Sequence, residues 1–237
     1  LSATTPTLVK CKPSGPHTLW DLEQAGGVGA VLQALDGLVN LDKMTVNGHT
    51  HRENTAAAEW NRKIVRPVEN AYSSQASLVV LKGNLAPEAS VVKQTAAVEA
   101  ILEGRIHHGD VLIIRGEGPQ GGPGMRELLT CTATLVSMGY AESVALVTDG
   151  RFSGATRGPC IGHGSPEASR GGPIAAGQKG DIIEIDIDKG RLEVHLSEKE
   201  LRERLEGLGA FVPKVTEGYL ARYARSVSPA SRGAVLE

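Results

Sequence analysis

Four short apolar runs constrain the fold more than any other feature, because each predicts a strand covered on both faces. They lie at residues 64–68, 77–82, 110–115 and 143–148. Helix candidates at 95–103 and 124–138 alternate with these runs. Strands that alternate with helices indicate an α/β fold, so we expect that class for the middle of the chain.

Two further local patterns follow the apolar runs. Apolar and polar residues alternate on both sides of a turn at 188–190, which predicts a β-hairpin over 181–196. Ser197 and Glu200 have the spacing of a capping box before a helix that Gly207 is placed to end. We therefore expect a hairpin followed directly by a short helix.

The first part of the chain has a different character. Residues 1–17 contain three prolines and predict an extended arm. Residues 18–38 predict two short helices broken at 26–27, and residues 53–60 predict another helical turn or two. The chain starts with Leu1, so we expect a processed chain, an excised domain or part of a longer protein.

Charge and composition exclude several classes of protein. Among the 237 residues, 25 Lys and Arg balance 27 Asp and Glu, which gives no broad attraction for nucleic acid or anionic lipid. No apolar run approaches the roughly 20 residues of a membrane helix. We expect neither a nucleic acid nor a membrane as partner, and a location in the cytoplasm, or in an organelle matrix if the source is eukaryotic.

The three cysteines do not form a recognisable motif. Cys11, Cys131 and Cys160 are an odd number at wide spacing, without a close pair of the zinc or redox type. A disulfide scaffold is therefore not expected.

A glycine-rich loop occupies residues 115–126, between an apolar strand and a helix candidate. It contains five glycines and two prolines, so its backbone N–H groups could face an anion. The alternative is a plain strand-to-helix turn, since the loop has neither the Walker nor the dinucleotide spacing. Glu117 near its start and Glu127 directly after it bracket the loop, and carboxylates suit Mg²⁺. We expect one of these carboxylates to bind Mg²⁺, rather than a complete set of ligands from this chain.

A second polar segment starts where the apolar run 143–148 ends. Asp149, Arg151 and Ser153 lie there, at the type of strand end where α/β proteins place ligand sites. The alternatives are a local salt bridge between Asp149 and Arg151 and a turn-stabilising hydroxyl for Ser153. His163 is more often a packed or surface histidine than a ligand.

Several segments resemble one family in the same order along the chain. Residues 148–154, Thr-Asp-Gly-Arg-Phe-Ser-Gly, are similar to the signature of the dihydroxy-acid and 6-phosphogluconate dehydratase family. The other matching segments are 82–87, 91–93, 118–127, 161–168 and 171–174. The Asn-Leu-Ala-Pro form at 84–87 is closer to the dihydroxy-acid and sugar-acid branches than to the phosphogluconate branch. The resemblance covers the chain but only the carboxyl-terminal portion of the family.

The resemblance implies a hydro-lyase that converts a 2,3-dihydroxy carboxylate to a 2-oxo acid. It implies an iron–sulfur cluster, 2Fe-2S or 4Fe-4S, as Lewis acid at the departing hydroxyl, with Mg²⁺ nearby. The cluster ligands and most Mg²⁺ ligands belong to the amino-terminal half of the enzyme, so no cysteine of this chain is expected to bind the cluster. The isolated chain is expected to be inactive without that half.

The same resemblance implies roles for individual residues. Glu127 is expected to bind Mg²⁺, and Ser153 to be the base that removes the C2 proton. We expect the Ser153 hydroxyl to be partly exposed in this chain alone. The residues implied in substrate or loop binding are Asp149, Arg151, Gly154 and Thr156.

The implied fold is α/β: a β-barrel-like swivel domain with flanking helices, similar to the mobile domain of aconitase. We expect residues 1–60 to form the arm and short helices, and residues 61–237 to form the barrel with a carboxyl-terminal helix and tail. The expected partners are a small dihydroxy acid, the amino-terminal half of the enzyme and further copies in a homo-oligomer.

Three functions stay open from the sequence. The first is dihydroxy-acid dehydration in branched-chain amino-acid synthesis. The second is dehydration of a sugar acid, and the third is a catalytically silent lid or assembly module. Family members carry an additional stretch at the equivalent of residues 94–100, so we expect either a true deletion or a chain break there.

Overall fold

The computed structural model describes residues 4–12, 15–74, 78–93, 106–153, 156 and 158–237. It divides into two compact units, Leu1–Ser77 and Leu78–Glu237. The expected domain boundary at residue 60 stays a prediction. The expected helix at 95–103 and the junction at 94–100 lie outside the described residues.

The first unit contains short helices. They are α1 (Leu19–Gln24), α2 (Gly27–Ala34) and α3 (His51–Thr55), with a 3-10 turn at Val68–Asn70. The predicted break at 26–27 is confirmed, and Gly26 has a φ of +101°, a conformation that favours glycine. Capping boxes at Thr18 and Thr50 start α1 and α3, because each side chain accepts the N–H three residues on.

The strand predicted at 64–68 is wrong. Val65 is 0% exposed in an apolar cluster with Leu8, Ala25, Ala30 and Ala34. Its carbonyl oxygen accepts a hydrogen bond from the Trp60 indole at 2.7 Å. Packing against short helices buries these apolar residues as well as a sheet would. Hydrophobicity alone therefore could not distinguish a strand from a loop that packs on helices.

Within the described residues of the second unit, seven strands form one sheet of order β3-β4-β5-β2-β1-β7-β6. The strands are β1 (Val79–Gly83), β2 (Ala86–Lys93), β3 (Val111–Ile114), β4 (Ala145–Thr148), β5 (Cys160–Ser165), β6 (Ile183–Asp186) and β7 (Arg191–Val194). β3, β4 and β5 run parallel, as do β1 and β7, and the remaining pairs are antiparallel. The predicted β1, β3, β4 and the β6–β7 hairpin are confirmed.

The sheet is curved into a nearly closed barrel. Residues of both edge strands, Val111 and Ile113 on β3 and Ile183 and Ile185 on β6, pack on the same apolar core. A cavity between these edges is lined by residues 110–113 of one side and 177–181 of the other. The mixed α/β, barrel-like architecture expected from the sequence is thus present.

Two central strands escaped prediction. β2 begins with Ala-Pro, and β5 has the sequence Cys-Ile-Gly-His-Gly-Ser, which is poor in β-formers. In β5, a Cβ at Gly162 would lie 3.2 Å from the Gly150 oxygen, so the absent side chain permits a close approach to the neighbouring loop. These two strands form because they pair with neighbouring strands, not because of their local sequence.

Three helices flank the barrel within the described residues: α4 (Leu129–Ser137), α5 (Glu198–Glu206) and α6 (Gly218–Ser226). α5 has the predicted capping box at Ser197 and ends at Gly207. α4 starts later than the expected 124, because residue 127 pairs with residue 151 as an isolated β-bridge instead. In the part of the chain that the structure describes, no helix is both long and apolar enough to cross a membrane.

Candidate active-site loops

One buried carboxylate, that of Asp149, joins three segments at the end of β4. Its Oδ2 accepts hydrogen bonds from the N–H of Gly116 at 3.0 Å and of Ala168 at 2.8 Å. Its Oδ1 accepts another from the N–H of Glu117 at 2.9 Å. Asp149 is 0% exposed, and three N–H donors compensate the carboxylate for its lost water. Asp149 therefore binds the loops together.

A second buried carboxylate, that of Glu167, holds the same glycine-rich loop further along. Its oxygens accept the N–H of Gln120 at 3.1 Å and of Gly121 at 2.9 Å, and the Ser169 hydroxyl at 2.8 Å. The Arg170 guanidinium lies 3.5 Å from it. The Glu167 side chain is only 2% exposed, so these partners replace its solvent.

The glycine-rich loop is thus folded around internal carboxylates. Four of its N–H groups point to them, namely those of Gly116, Glu117, Gln120 and Gly121. The expectation that the loop amides face an anionic ligand is wrong for these four. Gly118 shows why small residues are needed, since a Cβ there would lie 2.5 Å from a Glu167 oxygen.

Sequence reasoning did not single out Glu167. It lies in a matched segment after a glycine-rich strand, but that place alone does not distinguish a buried carboxylate from a solvated one. Its main partners are backbone N–H groups 46 and 47 residues away along the chain. Only the fold brings them together.

Glu117, considered as a Mg²⁺ ligand from sequence, is paired with a cation. Its Oε1 forms an ion pair with the Lys214 ammonium, and its side chain is 18% exposed. The other glutamate considered, Glu127, lies at the outer rim with its side chain 44% exposed. The two carboxylates therefore have different surroundings, and Glu127 is the more accessible.

Glu127 and Arg151 come together from the two loops. The Arg151 Nη1 lies 3.9 Å from the Glu127 Oε1, and its Nε donates to the Met125 carbonyl oxygen. The carboxylate partner of Arg151 is therefore Glu127, and the alternative of a salt bridge to Asp149 is not observed. Since α4 begins at Leu129, Glu127 precedes the helix and is not a first-turn residue.

Ser153 lies beyond Arg151 in the same loop. Its Oγ is 3.4 Å from the Thr156 Oγ1, and the Thr156 hydroxyl donates to the Ser153 carbonyl oxygen. Ser153 is 7% exposed, so the expectation of a partly exposed hydroxyl is wrong. Gly154 lies outside the described residues.

His163 lies on β5, beside this loop. Its N–H donates to the Gly150 carbonyl oxygen at 2.8 Å. The His163 side chain is exposed but partly covered, and this partial burial, with a smaller effect of the Arg151 charge, lowers the pKa of the imidazole below its ordinary value. The imidazole is therefore neutral at neutral pH.

The residues present fit the two implied metal groups differently. Glu127 offers one accessible carboxylate, which suits Mg²⁺ because this ion is commonly held by one or two carboxylates and waters. Cys131 and Cys160 pack in an apolar cluster, where burial raises the pKa of the Cys160 thiol, so they do not fit an iron–sulfur cluster. Among the described residues, no group of three His, Cys, Asp or Glu side chains could hold a metal.

Comparison with known proteins places these loops in a family. Residues 63–100 and 94–234 match the model of the dihydroxy-acid/6-phosphogluconate dehydratase C-terminal domain. Residues 1–54 match the N-terminal domain model, so the similarity extends beyond the carboxyl-terminal portion expected from the motifs. The two ranges that match the C-terminal domain model overlap at 94–100. The sequence predicted a departure from the family at this place.

Individual relatives agree with this assignment. The chain is 48% identical over 260 residues to a dihydroxy-acid dehydratase of Caldicellulosiruptor saccharolyticus and 48% identical over 264 residues to one of Methanosarcina barkeri. Each alignment covers 100% of this chain and 47% of the relative, so the chain spans about half the length of these proteins. The chain belongs to the dihydroxy-acid/6-phosphogluconate dehydratase family.

Proposed function

We propose that this chain is part of a hydro-lyase that dehydrates a 2,3-dihydroxy carboxylate to a 2-oxo acid, in branched-chain amino-acid synthesis. The curated relatives named dihydroxy-acid dehydratase support this activity. One structural observation carries the proposal: a buried serine, Ser153, and an accessible carboxylate, Glu127, lie on two loops joined through Arg151.

The reaction removes a proton from C2 and a hydroxide from C3, together one water, and the resulting enol tautomerises to the 2-oxo acid. In the proposal, Ser153 takes the C2 proton, which requires its hydroxyl to reach the alkoxide form. The Thr156 hydroxyl donates to the Ser153 carbonyl oxygen, so the Ser153 O–H is the donor between the two side chains at 3.4 Å.

Glu127 would hold a Mg²⁺ ion, with other ligands from the amino-terminal half of the enzyme. When bound, the ion supplies positive charge that stabilises developing oxyanions and the serine alkoxide. Arg151 lies beside Glu127 and offers a guanidinium for the substrate carboxylate. Within this chain, Arg151 orients the anionic end of the substrate and Ser153 acts at its C2 atom.

The remaining parts of the proposal concern the complete enzyme. The barrel acts as a swivel domain, similar to the mobile domain of aconitase, that covers the metal site. The amino-terminal half carries the iron–sulfur cluster, and the enzyme is a cytoplasmic homo-oligomer. The nearly closed sheet supports the barrel part of this description.

The test uses Ser153→Ala in the full-length enzyme, with exchange of the C2 proton followed by NMR in deuterated water. Loss of a general base should slow exchange and turnover by at least about 100-fold while substrate binding persists. Ser137→Ala, at an exposed serine of α4, is the matched control and should exchange at the wild-type rate. Wild-type exchange in Ser153→Ala would contradict the role of Ser153.

The substrate class is tested separately with the wild-type enzyme. A 2,3-dihydroxy carboxylate with a branched aliphatic side chain should be converted with a higher kcat/KM than a polyhydroxylated sugar acid. The opposite preference would identify a sugar-acid dehydratase. Absence of turnover with both acids, with the cluster and Mg²⁺ loaded, would favour a silent lid or assembly module.

A further inference from the structure

His163 breaks the burial pattern of its strand. The five other residues of β5 are buried, and the His163 side chain is exposed. The backbone explains this difference, since His163 has a φ of +57°, in the left-handed region that favours glycine. The local twist turns this one side chain out of the barrel wall.

The surroundings lock His163 in this conformation. Its N–H donates to the Gly150 carbonyl oxygen at 2.8 Å. Both neighbours are glycines that pack closely, because a Cβ at Gly162 would lie 3.2 Å from the Gly150 oxygen and one at Gly164 would lie 3.2 Å from the Thr148 oxygen. The strand is thus tied to the turn that leads to Ser153.

Chain geometry alone does not call for a histidine here. Glycine would adopt the left-handed conformation without strain, and the two adjacent positions are in fact glycine. A strained residue with an imidazole exposed at the carboxyl end of parallel strands points to a role for the side chain.

On the adjoining loop, Arg151 directly follows Gly150, whose carbonyl oxygen accepts the His163 N–H at 2.8 Å. Arg151 has its own partners, the Met125 oxygen through Nε and the Glu127 carboxylate at 3.9 Å through Nη1. A neutral imidazole can donate one N–H to an anion that the guanidinium attracts. His163 and Arg151 are both exposed, so such an anion can reach both side chains.

We infer that His163 is a substrate-contacting residue whose N–H donates to the substrate carboxylate beside Arg151. This inference rests on the proposed function and deepens it, since it assigns a binding residue for the anionic end of the dihydroxy acid. The contact is made with the bound substrate throughout the reaction. Its loss raises KM more than it lowers kcat.

The experiment measures kcat, KM and Tm of the full-length enzyme with a 2,3-dihydroxy carboxylate. His163→Gly removes the donor and relieves the backbone strain, so KM should rise about 10-fold to 100-fold while Tm stays equal or rises. His163→Asn keeps an N–H donor and tolerates a positive φ, so it should recover part of the loss. His107→Gln, at an exposed histidine of a turn, is the control and should match the wild type.

The outcomes separate this inference from the proposed function. If His163→Gly keeps the wild-type kcat and KM, or if His163→Asn loses as much as His163→Gly, His163 does not contact the substrate. Both results leave the dehydratase activity of the wild type in place. A wild-type enzyme that converts no 2,3-dihydroxy carboxylate would overturn the proposed function, and this inference with it.

Discussion

The carboxylates at the inner and outer ends of these loops differ in burial and in hydrogen-bond partners. At the inner end, Asp149 and Glu167 are buried and accept backbone N–H groups from several segments. At the outer end, Glu127 keeps 44% of its side chain exposed and lies 3.9 Å from the Arg151 guanidinium. The inner carboxylates hold the loops together, whereas the outer one stays accessible to solvent.

This difference shows what the glycines do. Small residues near Glu167 allow the backbone to wrap around a carboxylate, so the loop amides are satisfied within the protein. These amides are therefore not available to a ligand, and the exposed side chains at the outer end of the loops are. Four predictions test the comparison through stability.

The largest effect is expected for Asp149→Asn. The amide has one acceptor oxygen and places its NH₂ group against a backbone N–H, so a buried donor stays unsatisfied. We expect a loss of about 3 kcal/mol in the free energy of unfolding, measured by urea denaturation. Asp188→Asn, at an exposed turn, is the control and should change little. Equal stabilities for both variants would contradict the anchoring role of Asp149.

Gly118→Ala should come next. Its Cβ would lie 2.5 Å from a Glu167 oxygen, and this carboxylate cannot move without losing its N–H partners. We expect a loss of about 2 kcal/mol in the same assay, from overpacking. At Gly207 a Cβ would meet its nearest atom at 3.4 Å, so Gly207→Ala should be close to neutral. A neutral Gly118→Ala would mean that the loop is not closed around Glu167.

A smaller, pH-dependent effect is expected for a carboxylate of intermediate burial. The hydrogen bond from Arg204 holds the pKa of Asp181 below its ordinary value. A depressed pKa stabilises the fold above the unfolded pKa of about 4, and the contribution is lost as pH falls through the folded pKa. Arg204→Met should therefore be less stable than the wild type at pH 7, with the difference narrowing below pH 4. A constant difference between pH 7 and pH 3 would exclude this linkage.

The smallest effect on stability is expected for Glu127→Gln. The side chain is exposed and weakly paired, so the free energy of unfolding should change by no more than about 0.5 kcal/mol. Turnover of the full-length enzyme should nevertheless be abolished at ordinary Mg²⁺ concentrations if Glu127 binds the ion. A large loss of stability would show that Glu127, like Asp149, is a structural anchor.

Sequence reasoning predicted the candidate site in outline. It placed Asp149, Arg151, Ser153 and Glu127 on two loops that the structure brings together, because these loops follow the neighbouring parallel strands β3 and β4. It did not predict which carboxylates face inward. That distinction depends on donors such as the N–H of Gln120, which is distant from Glu167 in the sequence.

The sequence by itself determined the elements whose partners lie within a few residues. The capping box of α5, the β6–β7 hairpin and the helix break at Gly26 are all of this kind. Only the tertiary structure decided the two central strands, since β5 owes its place to pairing with β2 and β4. The burial of Asp149 and Glu167 has the same origin. Short-range hydrogen bonds can be predicted from neighbouring residues, whereas a buried carboxylate is stable only where the fold supplies its donors.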